Sequence, residues 1–211
     1  MNKKTQYSIT LIVIVLATVS GVLFSKWLSQ KTALPPDMEA IVLPQSRPPT
    51  PFTMVDQDGA SFGLEQMKGK WTFMFFGYTH CPDVCPTTLA VMNSVAQSLE
   101  TADGNLDQVQ FVFVSVDPDR DSPAQMKEYL GYFNQAFIGI TGEREQIDAL
   151  TRQMSVMYFL NNKEDKVDYS VDHSAAMLLI EPSGGLRALF NTPHIPENIL
   201  KSFNAIRKHY S

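Results

Sequence analysis

Two runs rich in aromatic and β-branched residues, "WTFMFFGY" at 71–78 and "VQFVFVSV" at 109–116, constrain the fold of this chain most. A strand with one wet face would alternate apolar and polar side chains; near-continuous runs belong to strands covered on both faces. Helical patterns separate and follow them. Leu89, Met92, Val95, Ala96 and Leu99 recur at helical spacing behind Pro86, a residue suited to a first helical turn. "SPAQ" at 122–125 joins a capping serine, a first-turn proline and a glutamine at the capping-box position, which predicts a helix to about Asn134. Residues 143–154 and 196–209 also read as helices. Shorter strands complete the pattern: a hairpin in "FTMVDQDGASF" around Asp58-Gly59, "FIGI" at 137–140, and a second hairpin of "AAMLLI" (175–180) and "LRALF" (186–190) across "EPSGG". Strands alternating with helices predict an α/β domain over 52–211, and the closing hairpin makes its central sheet mixed, with helices flanking it.

The N-terminus is different in kind. "SITLIVIVLATVSGVLFS" at 8–25 carries no charge, and Lys3 and Lys4 precede it. The stretch lies at the short end of what crosses a bilayer, and Lys26 and Trp27 follow it as interfacial anchors do. The expected layout is a cytoplasmic N-terminus (1–7), a single transmembrane signal-anchor (8–28), a proline-rich linker (29–51) and an exported domain. A cleaved signal peptide is the alternative; "TVS" before Gly21 is a weak cleavage site. Either way the domain leaves the cytoplasm. The first 31 residues hold four lysines and no acid, so of 17 basic residues 13 remain against 22 acidic ones in the rest. A domain so acidic is repelled by nucleic acid and suits a cation or a partner with a basic face.

The chain has two cysteines, Cys81 and Cys85, in "HCPDVCP". Outside the cytoplasm an idle pair would oxidise. Because proline is excluded from helix interiors, Cys81–Cys85 reads as a loop with Cys85 beside a helix N-terminus, whose positive end favours thiolate. Three uses compete: a structural disulfide, a redox pair and a metal site. The Cys-x-x-x-Cys spacing is one residue wider than that of thioredoxin-type reductases, leaving room to grip an ion between two sulfurs. Two thiolates leave a soft cation short of donors, and imidazole is the natural third for copper. Of four histidines, His173 in "VDHSAA" is best placed, in a loop before the strand at 175–180, with Asp172 beside it as a possible hydrogen-bonding support. His80 adjoins Cys81 but is expected to point away; His194 and His209 read as loop and solvated residues. Asp117, in "SVDPDRDSP", follows the second buried strand, on the sheet edge where α/β folds bind ligands, and is a weaker candidate for supporting the site. The methionines form no Met-x-x-Met cluster.

"FFGYTHCPDVCPTTL", "VSVDPDRDSPAQMKEYL", "FIGITG" and "VDYSVDHSAAMLLIEPSG", in this order, resemble the SCO/SenC family from about Phe52 to the C-terminus. The resemblance implies a thioredoxin-like fold. It also implies one copper ion, Cu(I) or Cu(II), bound by Cys81, Cys85 and His173. It implies a role in maturing the CuA centre of cytochrome c oxidase subunit II, or in serving another copper-receiving protein. In a bacterial form the domain would face the periplasm from the inner (cytoplasmic) membrane. Many members carry an acid just after the second Cys-Pro; Thr87 and Thr88 stand there in this chain, so a partner contact through that acid has no counterpart. The first expectation is a copper metallochaperone, a binding and transfer protein rather than a turnover enzyme. The alternative is a thiol–disulfide oxidoreductase acting on cysteines of a partner through the redox pair Cys81 and Cys85, which needs no His173.

Overall fold

The computed structural model describes residues 12–22, 34–35, 38–103, 106–162 and 169–210. The elements in chain order are α1 (12–22), β1 (Ala40–Arg47), β2 (Thr53–Asp56), β3 (Ser61–Gly63), α2 (Leu64–Met67), β4 (Trp71–Gly77), α3 (Val84–Asp103) and β5 (Val109–Ser115). Then follow α4 (Pro123–Gly131), β6 (Ile138–Thr141), α5 (Arg144–Met154), β7 (Tyr158–Asn161), β8 (Ser170–His173), β9 (Met177–Ile180), β10 (Leu186–Phe190) and α6 (Pro196–Tyr210). Met38–Phe203 make one unit; residues 1–37 with Asn204–Ser211 make a second. In the second unit α1 lies inside the expected anchor, and the rest of 8–28 falls outside the described residues. No described helix is long and apolar enough to cross a membrane.

The two apolar runs pair in parallel at the centre of an eight-stranded sheet of order β1-β10-β9-β4-β5-β6-β2-β3, with β6 parallel to β5 and the flanking strands antiparallel. Every residue of β4 and β5 is buried, as strands covered on both faces require. This is the mixed, thioredoxin-like α/β arrangement expected. One part of the chain differs. Residues 40–47, read as linker, form β1 against β10. Pro44 hid this strand. It is tolerated because β1 is the sheet edge, where a missing N–H breaks no pairing, and the register is irregular between Val42 and Arg47.

Period-two alternation along β4 places the site. Side chains at odd positions share one face. Trp71 and Phe73 meet the ring of Phe203 in α6 at centroid distances of 5.8 and 5.1 Å. Two residues on, Phe75 meets the His173 ring at 5.8 Å. At the strand's last residue, Gly77, an added Cβ would lie 2.6 Å from Cys85 Sγ. One face thus runs from aromatic core to candidate site within seven residues.

Candidate metal centre

The site forms where β4 hands over to α3. The loop between them is anchored from below by Asp121, which is fully buried. Its carboxylate accepts the Thr79 N–H at 3.0 Å, the Thr79 hydroxyl at 2.6 Å and the Ser115 hydroxyl at 2.6 Å. Burial pushes its pKa up, against the pull of these donors. From sequence Asp121 is a turn residue; in the fold it ties the C-terminal ends of β4 and β5 together beside the cysteine loop. Ser122 caps α4 as expected, accepting from Gln125 N–H at 3.3 Å. The Gln125 side chain does not close a capping box; it donates to Thr79 Oγ1 instead.

Helix α3 begins at Val84, so Pro86 is its third residue rather than its first. No bond is lost, since the first four N–H groups of a helix have no acceptor within it. One of these groups, the Cys85 N–H, points at Cys81 Sγ at 3.4 Å. Cys81 therefore caps the helix with sulfur at the rim, 9% exposed, while Cys85 is sealed at 0% inside the first turn. Both are free thiols. The environments drive the two apart. The bond from Cys85 and the helix N–H groups lower Cys81 to about 4, against its burial; Cys85, bonded to Cys81 and desolvated, is pushed up. Cys81 is the thiolate of the pair and Cys85 keeps its proton.

His173 ends β8 rather than lying in a loop. Its Nδ1 lies 3.1 Å from the Ser174 carbonyl, and a carbonyl can only accept. Nδ1 therefore carries the proton and Nε2 presents a lone pair, 3.2 Å from Cys85 Sγ. The ring stands edge-on to Tyr78 and Phe75, which hold its plane. The three donor atoms of Cys81, Cys85 and His173 lie within 4.8 Å of one another, and this is the group of metal-competent donors found among the described residues. Two soft sulfurs and one oriented imidazole suit a thiophilic ion. A cleft of ≈ 360 Å³ opens onto Cys81 and His173 between Pro82, Asp83 and Val84 on one side and Ser170–Asp172 on the other.

The other candidates stand elsewhere. His80 Nδ1 contacts Thr79 Oγ1 at 3.2 Å and lies 3.7 Å from Asp121, away from the sulfurs. His194 Nε2 contacts the Ala175 carbonyl. The His209 ring meets Tyr210 edge-on. Asp172 does not support His173: alternation turns it outward, where it accepts from Asn161. Asp117 is buried but bonds Arg120 and Tyr169 rather than any donor of the site. Sequence reading passed over Tyr78, Arg120 and Tyr169. Tyr169 and Arg120 stood within the quoted motifs, but nothing in their spacing told which strand they would grip.

One consequence is measurable without metal. With its pKa lowered to about 4, Cys81 is deprotonated throughout the neutral range. Its alkylation by iodoacetamide in the reduced protein should be nearly constant between about pH 6 and 8. An ordinary thiol, with pKa near 8.5, would speed up by nearly two orders of magnitude over about the same window. A rate climbing about tenfold per pH unit, as for that ordinary thiol, would show that Cys81 is not the thiolate.

The sequence matches the SCO1/SenC family over residues 43–208. A protein of Stutzerimonas stutzeri is 38% identical over 163 residues, covering 77% of this chain and 78% of its own length. The mitochondrial SCO2 homolog of Mus musculus is 37% identical over 158 residues, 75% of this chain; the match spans 60% of the mouse protein. Among solved structures, Bradyrhizobium japonicum ScoI with copper bound is 35% identical, with a TM-score of 0.67 over 76% of this chain and 99% of that one.

Proposed function

The chain belongs to the SCO1/SenC family, and from that premise we propose that it is a copper metallochaperone that holds one ion through Cys81, Cys85 and His173 and hands it to a receiving protein. The observation that carries this is the free Nε2 of His173 facing Cys85 Sγ at 3.2 Å, with Cys81 beside them. A redox pair needs two sulfurs; a third donor atom converging on them is what a metal ion needs. The chain's own parts have separate tasks. Gly77 and the first turn of α3 hold Cys85 under cover, the rim position of Cys81 opens the ion to a partner, and the Ser174 carbonyl aims His173.

The receiving protein in this reading is an oxidase subunit with a CuA centre, in line with the copper-bound Bradyrhizobium relative and the SCO2 kinship. The acidic balance of the domain favours a partner with a basic face. We place the domain outside the inner membrane on a single N-terminal anchor. Support comes from the charge-free stretch behind Lys3 and Lys4, and from the exposed apolar side chains of Ile12, Val13, Ile14, Val15 and Leu16 in α1.

Titration of the reduced protein with Cu(I) against a competing chelator tests the proposal. One tight equivalent is expected, and none in Cys81→Ser or after oxidation of the pair to a disulfide. Unchanged uptake in Cys81→Ser would remove the site from copper binding. A second reading, reduction of a partner's disulfide, is favoured by the thiolate at the rim beside a buried thiol. It predicts reductase activity that survives His173→Ala.

A further inference from the structure

Strands β7 and β8 form a two-stranded sheet of their own, so no strand pairing ties β8 to the sheet that carries the cysteines. His173 is nevertheless held 3.2 Å from Cys85 Sγ. On its C-terminal side the chain reaches β9 of the central sheet within four residues of His173; at the start of β8 a buried side-chain cluster makes the connection. Arg120, in the turn after β5, donates from Nε to Asp117 Oδ2 at 2.5 Å and from Nη1 to the Tyr169 carbonyl at 2.9 Å. Its guanidinium lies 3.6 Å from the centroid of the Tyr169 ring. The Tyr169 hydroxyl donates to the other Asp117 oxygen at 2.5 Å. Asp117 is wholly buried, and Arg120 Nη2 is buried with no hydrogen-bond partner, so packing over the tyrosine holds the guanidinium in place. The Val171 N–H adds a bond to the Tyr78 hydroxyl at 3.4 Å.

We infer that the Asp117–Arg120–Tyr169 cluster is a latch that sets the distance between His173 and the two cysteines, and so decides whether the third donor joins the site. Tyr169 stands four residues before His173. An extended strand carries a displacement at one end to the other, about 13 Å away, with little slack. Lysine could not replace Arg120, because one group must bond a carboxylate and a carbonyl while stacking on a ring. The residues are positioning residues: none touches a donor atom of the site. The inference rests on the three-donor reading and deepens it.

The test is a double-mutant comparison. Tyr169→Phe and Arg120→Met are made alone and with His173→Ala, and Cu(I) affinity is read by chelator competition. Each latch variant should weaken binding about 10- to 100-fold, the usual effect of removing a ligand's support. The same change in the His173→Ala background should have no further effect. In the reduced, metal-free protein, hydrogen exchange at Val171 should quicken while β4 stays protected. Native affinity in both variants, an equal loss with and without His173, or native exchange at Val171 in Tyr169→Phe would overturn the latch. If Arg120→Met does not fold, Tyr169→Phe, which removes one hydroxyl, carries the comparison. Equal copper affinity of the native chain and His173→Ala would overturn the three-donor reading and the latch together; native His173 dependence with unaffected latch variants would overturn the latch alone.

Discussion

His173→Ala should weaken Cu(I) binding by at least about 100-fold, while both thiols remain titratable. Removing a residue that merely supports a ligand costs 10- to 100-fold in metal affinity, and His173 offers a donor atom itself. A factor of 100 corresponds to about 2.8 kcal/mol. No described neighbour can step in: His80 is engaged with Thr79 and Asp121, and Asp172 faces outward. Some destabilisation will accompany the loss, because the ring packs edge-on against Phe75 and Tyr78. A thermal melt of the metal-free variant separates the two effects. If affinity follows stability rather than His173, the imidazole is not a ligand.

Gly77→Ala should damage fold and site at once. Its Cβ would lie 2.6 Å from Cys85 Sγ and 2.9 Å from a ring carbon of Phe113. Neither neighbour yields easily. Cys85 has a single rotatable side-chain bond and sits buried in the first turn of α3, and Phe113 is locked in β5 at zero exposure. Overpacking of this kind costs about 1–3 kcal/mol, which for a chain of this size lowers Tm by roughly 2–12 °C. The displaced sulfur should also lose the tight copper equivalent. Adding Cys85→Ala removes the nearer clash and should recover part of the melting temperature, but none of the copper binding. A Gly77→Ala protein with native Tm and native affinity would show that the sulfur does not depend on the bare backbone at the end of β4.

The rest of the fold divides by how local its cause is. The central strands were readable because burial on both faces leaves a continuous apolar run. Ser122 could be read as a cap because capping involves neighbours within one turn. β1 was missed because Pro44 argues against a strand unless the strand is known to lie at an edge, and edge position is a property of the whole sheet. β7 and β8 were missed because, in four residues lying mostly outside the core, no buried apolar run declares itself; β6 and β9 are as short but are buried and read as apolar runs. The position of Pro86 slipped by two residues, since any of the first helical positions tolerates it.

The three candidate donors were named from the sequence alone: two cysteines, and one histidine in a motif shared with a known family. Which cysteine is the thiolate, which nitrogen of His173 is free, and what keeps the histidine in reach were decided by the tertiary structure. Those properties depend on burial, on a carbonyl one residue beyond His173, and on a cluster that joins Asp117 to Tyr169 across 52 residues of chain. Residue type carries donor chemistry along the chain, but pKa and distance come from what the fold packs around it.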